Sequence, residues 1–459
     1  MGKGACARIG RAGCAAAIAI GISFGSHPAF AQLKSPPATE REFDLSGGRV
    51  PDGTSLSMPE GGPTRVTGFV VGSFSYNSRV QMVPEFAGGG PALADPQATN
   101  FRFDKFGLGF SKSFAPWLSG AVAVEVENHR DRHSHGFDPV FGCPGTGSCI
   151  ERFGAEEPET EASLDKFNLT GIVPVGNGLS LSIGRFDVPF GIERHDEPLN
   201  LTATPSEVFR FGRPQQMTGF QTSYQIAPSL EVAAWAVNRA ESETTHTPFD
   251  DNNKHKSYGG RIGFTPFPRG TLLAFGLGGF WGPEQDNNDS SQRRVLDLDF
   301  SWTPYPEVLL TGEVVQGSED KVSFRERGIP FAAPAVADQD VKWRGFYVLS
   351  HYDVRPWMGL SVRYGRLNDL HGARTGVAQV LQSLTIAPII HLSRLIPELR
   401  SSGATYARTR HPNDWVDLKL EYRYNFSNQP VFSKAAPATD ILNADTSSHQ
   451  VQIQAVVNF

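Results

Sequence analysis

Residues Leu296 to Trp302 read LDLDFSW. Large apolar side chains hold the even positions; Asp297, Asp299 and Ser301 hold the odd ones. Successive side chains of an extended chain point to opposite faces, so this segment has one oily face and one charged face. A surface strand of a soluble sandwich alternates in the same way. What each face meets has to be decided by the surrounding chain.

The same period recurs along the sequence. FDKFGLGFSKSF sets Phe106, Leu108 and Phe110 against Lys105, Gly107, Gly109 and Ser111. LSGAVAVEVE sets Leu118, Val122, Val124 and Val126 against Ala121, Ala123, Glu125 and Glu127. DLKLEYRYNF sets Leu418, Leu420, Tyr422 and Tyr424 against Asp417, Lys419, Glu421 and Arg423. The last nine residues, VQIQAVVNF, put Val451, Ile453, Ala455, Val457 and Phe459 on one parity, with Val456 the exception on the other. Period two dominates, so the chain is read as all-β.

Turn signals come in two kinds. Short Pro or Gly turns stand at Phe114 (FAPW), Pro174 (PVGNG), Ile226 (IAPSL), Thr265 (TPFPRG), Thr303 (TPYPE) and Asp353 (DVRPW). Between them run long polar connections at 128–163, 188–216, 239–256 and 318–341. Short on one side and long on the other is the order of an up-and-down barrel in an outer membrane, with short periplasmic turns and long extracellular loops. Aromatics crowd the short side: Phe114, Trp117, Phe264, Phe267, Trp302, Tyr305, Tyr352 and Trp357, as an interfacial girdle would. No run of 18 apolar residues follows the N-terminal segment, so no spanning helix is expected; a barrel strand needs only ~9–11 tilted residues.

The expected fold is therefore a transmembrane antiparallel β-barrel. Its strands lie near 66–76, 101–113, 118–128, 163–173, 179–187, 217–227, 230–238, 257–265, 271–281, 294–302, 308–317, 343–353, 358–366, 377–387, 415–426 and 448–459. That makes sixteen. The stretch 389–414 could hold two more strands, giving eighteen as the second choice, but Leu392, Leu395, Ile396 and Leu399 have helical spacing and the preferred reading is a long turn with a short helix.

Residues 1–31 carry the pattern of an export signal: Lys3, Arg8 and Arg11, a short Ala-rich apolar core, then Ala29-Phe30-Ala31, with cleavage expected before Gln32. Residues 32–64 read as an irregular Pro/Gly/Ser-rich extension, and 65–459 as the barrel. The formal net charge is −6, and removing the signal's three cations takes it to −9. No Lys/Arg block suggests nucleic acid. Cys143 and Cys149, in FGCPGTGSCI, are expected to form a disulfide stapling an outer loop.

GRFDVPFGIERHDEP, from Gly184, followed by LNLTATPSEVFRFGRPQQMTGFQTSY, resembles the strand, inward-folding loop and next strand of the phosphate-selective porin family of Gram-negative outer membranes. The matching pieces are Gly184-Arg185-Phe186, Pro189-Phe190-Gly191-Ile192-Glu193, and Pro214 through Gly219. The terminal Phe459 resembles the closing aromatic through which the outer-membrane assembly machinery recognises barrels. The resemblance implies a sixteen-stranded channel, a homotrimer, set in outer-membrane lipid and lipopolysaccharide. It also implies that the loop of about 188–216 folds into the pore.

On that reading the constriction carries Glu193, Arg194, His195, Asp196, Glu197, Glu207, Arg210 and Arg213. The lumen wall carries Lys105, Glu125, Glu127, Asp297, Asp299, Glu313, Arg363, Lys419 and Arg423. Family members selective for phosphate line the pore with many cations; here the signs are mixed. Opposed charges orient polar solutes without trapping anions, so the expected cargo is small polar solutes and ions, with phosphate not singled out. Loop charges could equally pair with the wall and hold the loop in place. No cofactor, metal or catalytic group is expected: beyond the export signal, where Gly21–Gly25 reads GISFG, the G-x-S-x-G, Walker and H-E-x-x-H patterns are absent from the sequence. His129, His133 and His135 are read as an exposed loop without fixed ligand spacing. Two alternatives stand beside the channel: a non-conducting surface or adhesion barrel plugged by 32–64, and a barrel hydrolase.

Overall fold

A computed structural model describes residues 64–83, 92–93, 99–129, 159–241, 253–267, 272–285, 288–322, 338–375, 377–396, 416–433 and 445–459. The export signal, nearly all of the N-terminal extension, the Cys143/Cys149 pair and His133/His135 lie outside the described residues.

The strands are β1 (Arg65–Asn77), β2 (Thr99–Ala115), β3 (Leu118–His129), β4 (Glu159–Val173) and β5 (Leu179–Asp187). Next come β6 (Gln216–Ala227), β7 (Leu230–Glu241), β8 (Ser257–Phe264), β9 (Leu272–Gln285), β10 (Asn288–Tyr305) and β11 (Val308–Val322). The last are β12 (Gln339–Arg355), β13 (Met358–Asp369), β14 (Gln379–His391), β15 (Val416–Ser427) and β16 (Ser447–Asn458). Among the described residues these sixteen strands form one closed antiparallel barrel, each pairing with its neighbours in sequence. Closure joins β16 to β1, from Phe69 opposite Asn458 to Asn77 opposite Gln450. Every strand edge is thus paired, as a backbone surrounded by hydrocarbon requires.

The barrel is inside-out relative to a soluble protein. On β10, Leu296 and Leu298 are 55% and 51% exposed, whereas Asp297 between them is fully buried at 0%. On β16, Ile453 is 40% exposed and Gln454 is 1%. The apolar parity faces outward and the polar parity inward, and Val456 is buried on the inner side. Seven of the eight turn-side aromatics (Phe114, Trp117, Phe264, Phe267, Trp302, Tyr305 and Tyr352) are exposed outward, and Trp357 is half-buried. Tyr76, Phe101, Tyr258 and Trp281 are exposed toward the loop end. The two belts bracket an apolar band, as the two lipid–water interfaces favour.

Two details depart from the even reading of the turns. β9 and β10 run past the expected ends at 281 and 294 and leave only residues 286 and 287 between them, so one outer connection is a tight hairpin. In 389–414, β14 extends to His391 and a one-turn helix covers Leu392–Leu395; no further barrel strand occurs there among the described residues. Three short strands, Val80–Val83, Ala92–Leu93 and Phe432–Ser433, form a small separate sheet.

The inner face is not polar throughout. Trp235, Phe280, Val295, Val315, Trp343, Leu349 and Leu367 point inward and are buried together with Phe190, Val208 and Phe211 of the 188–215 loop. The lumen therefore contains an apolar cluster that gives the loop something to pack on.

Candidate functional site

The 188–215 loop leaves β5 and folds across the barrel interior, touching wall residues on many strands. Its turn at Pro189-Phe190-Gly191 is set by close approach. Phe190 packs at 5.9 Å from the Trp235 ring, and a Cβ on Gly278 would strike the Phe190 ring at 2.2 Å. Gly191 has φ +55, and a Cβ there would lie 1.9 Å from Glu313 Oε2. Only glycine satisfies both the left-handed backbone and the contact.

Past the turn, Glu193 is buried under the loop's return. Its carboxylate accepts from Ser206 N at 3.1 Å, Ser206 Oγ at 2.5 Å and Arg363 of β13 at 2.5 Å. Arg363, with no exposure, also donates to Thr202 Oγ1 at 2.7 Å and Thr204 O at 2.8 Å. Arg423 of β15 pairs with Glu207 and donates to Pro205 O at 2.7 Å; Ser383 Oγ of β14 donates to Glu207 at 2.9 Å. Glu421 of β15 accepts from Ala203 N at 2.7 Å. Arg213 reaches Glu313 of β11 at 2.8 Å and donates to Glu193 O at 2.9 Å. Its guanidinium lies 4.7 Å from the Phe209 ring, close enough for a cation–π contact. Glu193, Glu207 and Arg213 are therefore buried anchors.

The middle of the loop crosses to the other wall. His195 Nε2 lies 3.2 Å from Lys105 Nζ of β2 and 3.4 Å from Glu125 of β3. Lys105 itself donates to Glu125 at 2.9 Å and pairs with Glu127. Lys166 of β4 bridges Asp196 at 2.7 Å and Asp187 at 3.0 Å. Glu197 accepts through its carbonyl from Lys419 of β15 at 2.8 Å and through its carboxylate from Gln454 of β16 at 2.8 Å. Arg194, His195, Asp196, Glu197 and Arg210 are half-buried, unlike the anchors. Arg210 lies over the Phe211 ring at 4.9 Å.

These loop groups titrate unusually. Burial pushes Glu197 up to about 7, against the opposing pull of Lys105. Burial, the largest influence on His195, favours its neutral form and Lys105 adds to that, but Glu125 and Asp165 outweigh both and hold the ring's pKa up at about 9. Asp196 loses more to burial than to any other single influence, yet Lys166 carries it down to about 2. The loop's ionisation thus changes across the neutral-to-alkaline range at Glu197 and His195.

The inferred wall charges all face the lumen. Asp297 and Asp299 of β10 and Glu313 of β11 stand beside Arg261, which donates to Asp299 at 2.9 Å and lies 3.9 Å from Asp297. Two groups, Glu125/Glu127/His195 and Glu125/Asp165/Asp196, have ligand atoms close enough to share a cation. The ammonium groups of Lys105 and Lys166 already sit against these carboxylates. Several anchors were not legible as site residues. Arg374, from the connection between β13 and β14, donates to Phe211 O at 2.6 Å, and Trp343 Nε1 donates to Gly212 O at 2.8 Å. Both bonds join positions over a hundred residues apart, and local composition carries no trace of them.

Compared with known proteins, residues 120–459 match the model of a family described as "Putative beta-barrel porin-2, OmpL-like". No curated protein matches the chain. Among solved structures it is similar to the outer membrane channel DcaP of Acinetobacter baumannii, at 10% identity and TM-score 0.51, covering 86% of this chain and 97% of that one. OmpF of Salmonella typhi in complex with daunomycin matches at 12% identity and TM-score 0.49, covering 87% and 98%. The anion-selective porin of Comamonas acidovorans matches at 12% identity and TM-score 0.47, covering 86% and 99%. At such identities the likeness concerns the fold. The resemblance to an outer-membrane porin stands, while the matched family is the OmpL-like one and nothing in it singles out phosphate.

Proposed function

The chain belongs to the OmpL-like beta-barrel porin-2 family, and from that premise we propose that it forms a water-filled channel through which small polar solutes and ions diffuse passively. Its location is the outer membrane of a Gram-negative cell. The observation that carries the reading is a lumen lined by charges of both signs and crossed by one loop anchored on opposite walls. Charged groups of mixed sign, fixed by mutual pairing, pass polar solutes without holding any tightly, which conduction requires. Glu193, Glu207 and Arg213 hold the loop; Arg194, His195, Asp196, Glu197 and Arg210 meet the solute. The protein acts as a channel and catalyses nothing.

In its native state the channel is a homotrimer, and its last strand, ending at Phe459, is read by the assembly machinery. Crosslinking in whole membranes tests the first; loss of membrane-inserted protein on Phe459→Ala tests the second. Liposome swelling across a series of sugars and amino acids tests the channel itself. Swelling rates should fall with solute size, and equal rates with and without protein would remove the reading.

A non-conducting barrel is the second reading. It is favoured by one observation: Asp297, Arg363 and Lys419, on three different strands, have no exposure to solvent. The swelling assay separates the two.

A further inference from the structure

The outer surface of β10–β13 breaks the rule that outward positions are apolar. Arg294 of β10, Lys342 and Arg344 of β12 and Arg366 of β13 all share the outward parity and are exposed. The register places them together. Lys342 lies opposite Ser318 of β11, which lies opposite Arg294. Arg344 lies opposite Asn368, two residues from Arg366, so the two arginines are diagonal neighbours roughly 7–8 Å apart.

Arg294 is neutralised by Asp320, at 2.9 and 3.0 Å. No described acidic side chain pairs with Lys342, Arg344 or Arg366; Asp338 and Asp340 are further exposed acids at the loop end of β12. The outward positions of β1, β3, β6, β8, β9, β14 and β16 carry no described Asp, Glu, Lys or Arg that is exposed. The cationic patch is thus local, and it sits at the loop-side edge of the apolar band. Phe346, with Val314 and Leu298 beyond it, lies on the row of Arg366; turnward come Tyr364, its ring 5.9 Å from that of Phe346, and exposed Val348 and Val362.

We propose that this face binds the phosphorylated glycolipid of the outer leaflet, lipopolysaccharide, with its phosphates on Lys342, Arg344 and Arg366. Its acyl chains lie along the apolar strip below. The loop side is the extracellular side of such a barrel, so the cations stand at the headgroup level of the outer leaflet. Guanidinium groups offer a planar fork that matches phosphate oxygens, and the surroundings are poorer in water than bulk solvent. From Lys342 to the level of Arg366 the patch extends four residues along the strands, about 13 Å. Three unmatched cations spread over that length suit two phosphate groups on one amphiphile better than a single phosphodiester. The site does not depend on conduction; a barrel that never conducts would carry it equally.

The test is native mass spectrometry of the full-length protein in detergent, titrated with diphosphoryl lipid A, monophosphoryl lipid A or a zwitterionic phospholipid. Wild type should retain diphosphoryl lipid A in preference to the other two, and 10 mM inorganic phosphate should leave it bound. The variant Lys342→Gln/Arg344→Gln/Arg366→Gln should lose affinity by about tenfold or more, since each charge-assisted bond is among the stronger surface contacts. Lys112→Gln, at the outward turn-side end of β2, should stay within about twofold of wild type. Heat-modifiable gel mobility reports folding. If the triple variant does not fold, Arg344→Gln and Arg366→Gln singly should each weaken binding about threefold. Binding within twofold of wild type by the folded variants, equal retention of the zwitterionic lipid, or displacement by inorganic phosphate would each overturn the site.

Discussion

Replacing Arg363 by methionine removes the charge that ties the lumen loop to β13 while keeping an unbranched side chain of similar reach. Arg363 has no solvent exposure, and a single guanidinium nitrogen serves Glu193 at 2.5 Å, Thr202 at 2.7 Å and Thr204 at 2.8 Å. Its loss leaves the Glu193 carboxylate with Ser206 alone among its side-chain partners, in a site as buried as before. Breaking one half of a buried pair typically costs ~3–5 kcal/mol. Neutralising both halves, in Arg363→Met/Glu193→Gln, removes the stranded charge and should recover ~2 kcal/mol or more of that loss as coupling energy. The assay is a double-mutant cycle built on reversible urea unfolding in lipid vesicles, with limited proteolysis of the loop as a local readout. A coupling below ~0.5 kcal/mol would mean the pair does not hold the loop, and the anchoring argument would fail.

Leu298 is outward on β10 between Leu277 and Val314 and four residues from both Arg294 and Trp302, which sets it near the middle of the apolar band. Leu298→Arg should therefore destabilise the inserted barrel by ~2–4 kcal/mol, against ~0.5 or less at an ordinary watery surface; vesicle unfolding titrations decide. Gly191→Ala should cost ~2 kcal/mol or more and raise open-channel current noise, because the left-handed backbone and the Glu313 contact both oppose a Cβ. Unchanged stability and quiet current would contradict the close approach. Glu197, near 7, and His195, near 9, each make the lumen one charge more negative as they deprotonate. Reversal potentials in a KCl gradient should therefore shift toward cation preference as pH rises from 6 to 10. Glu197→Gln should remove the lower step and leave the upper one, and a flat profile in wild type would refute the assignment.

The strands were legible because lipid demands an unbroken outward apolar parity, and Leu296-Asp297-Leu298-Asp299 states it without ambiguity. The signal faded where the demand ends. Gln292 and Arg294 lie at the loop-side end of β10, where water and headgroups replace acyl chains, so the ladder continues while the alternation does not. That is why the β9–β10 hairpin reads as a loop in sequence. Val315, Trp343 and Leu367 obscured the pattern for another reason: they are inward and apolar because a distant loop covers them. In the candidate site the charges of 193–213 were visible as charges. Which of them are buried was not, since Glu193, Glu207 and Arg213 owe their burial to Arg363, Arg423 and Glu313, on strands a hundred residues or more away.

Single-channel recording of the folded wild-type protein in a planar lipid bilayer tests the account most directly. Ohmic, stepwise increases in current, with a modest ion preference that follows the mixed-sign lining, are the expected result. Protein that is inserted and folded by gel mobility, yet leaves the bilayer silent at every voltage and salt concentration tried, would contradict it.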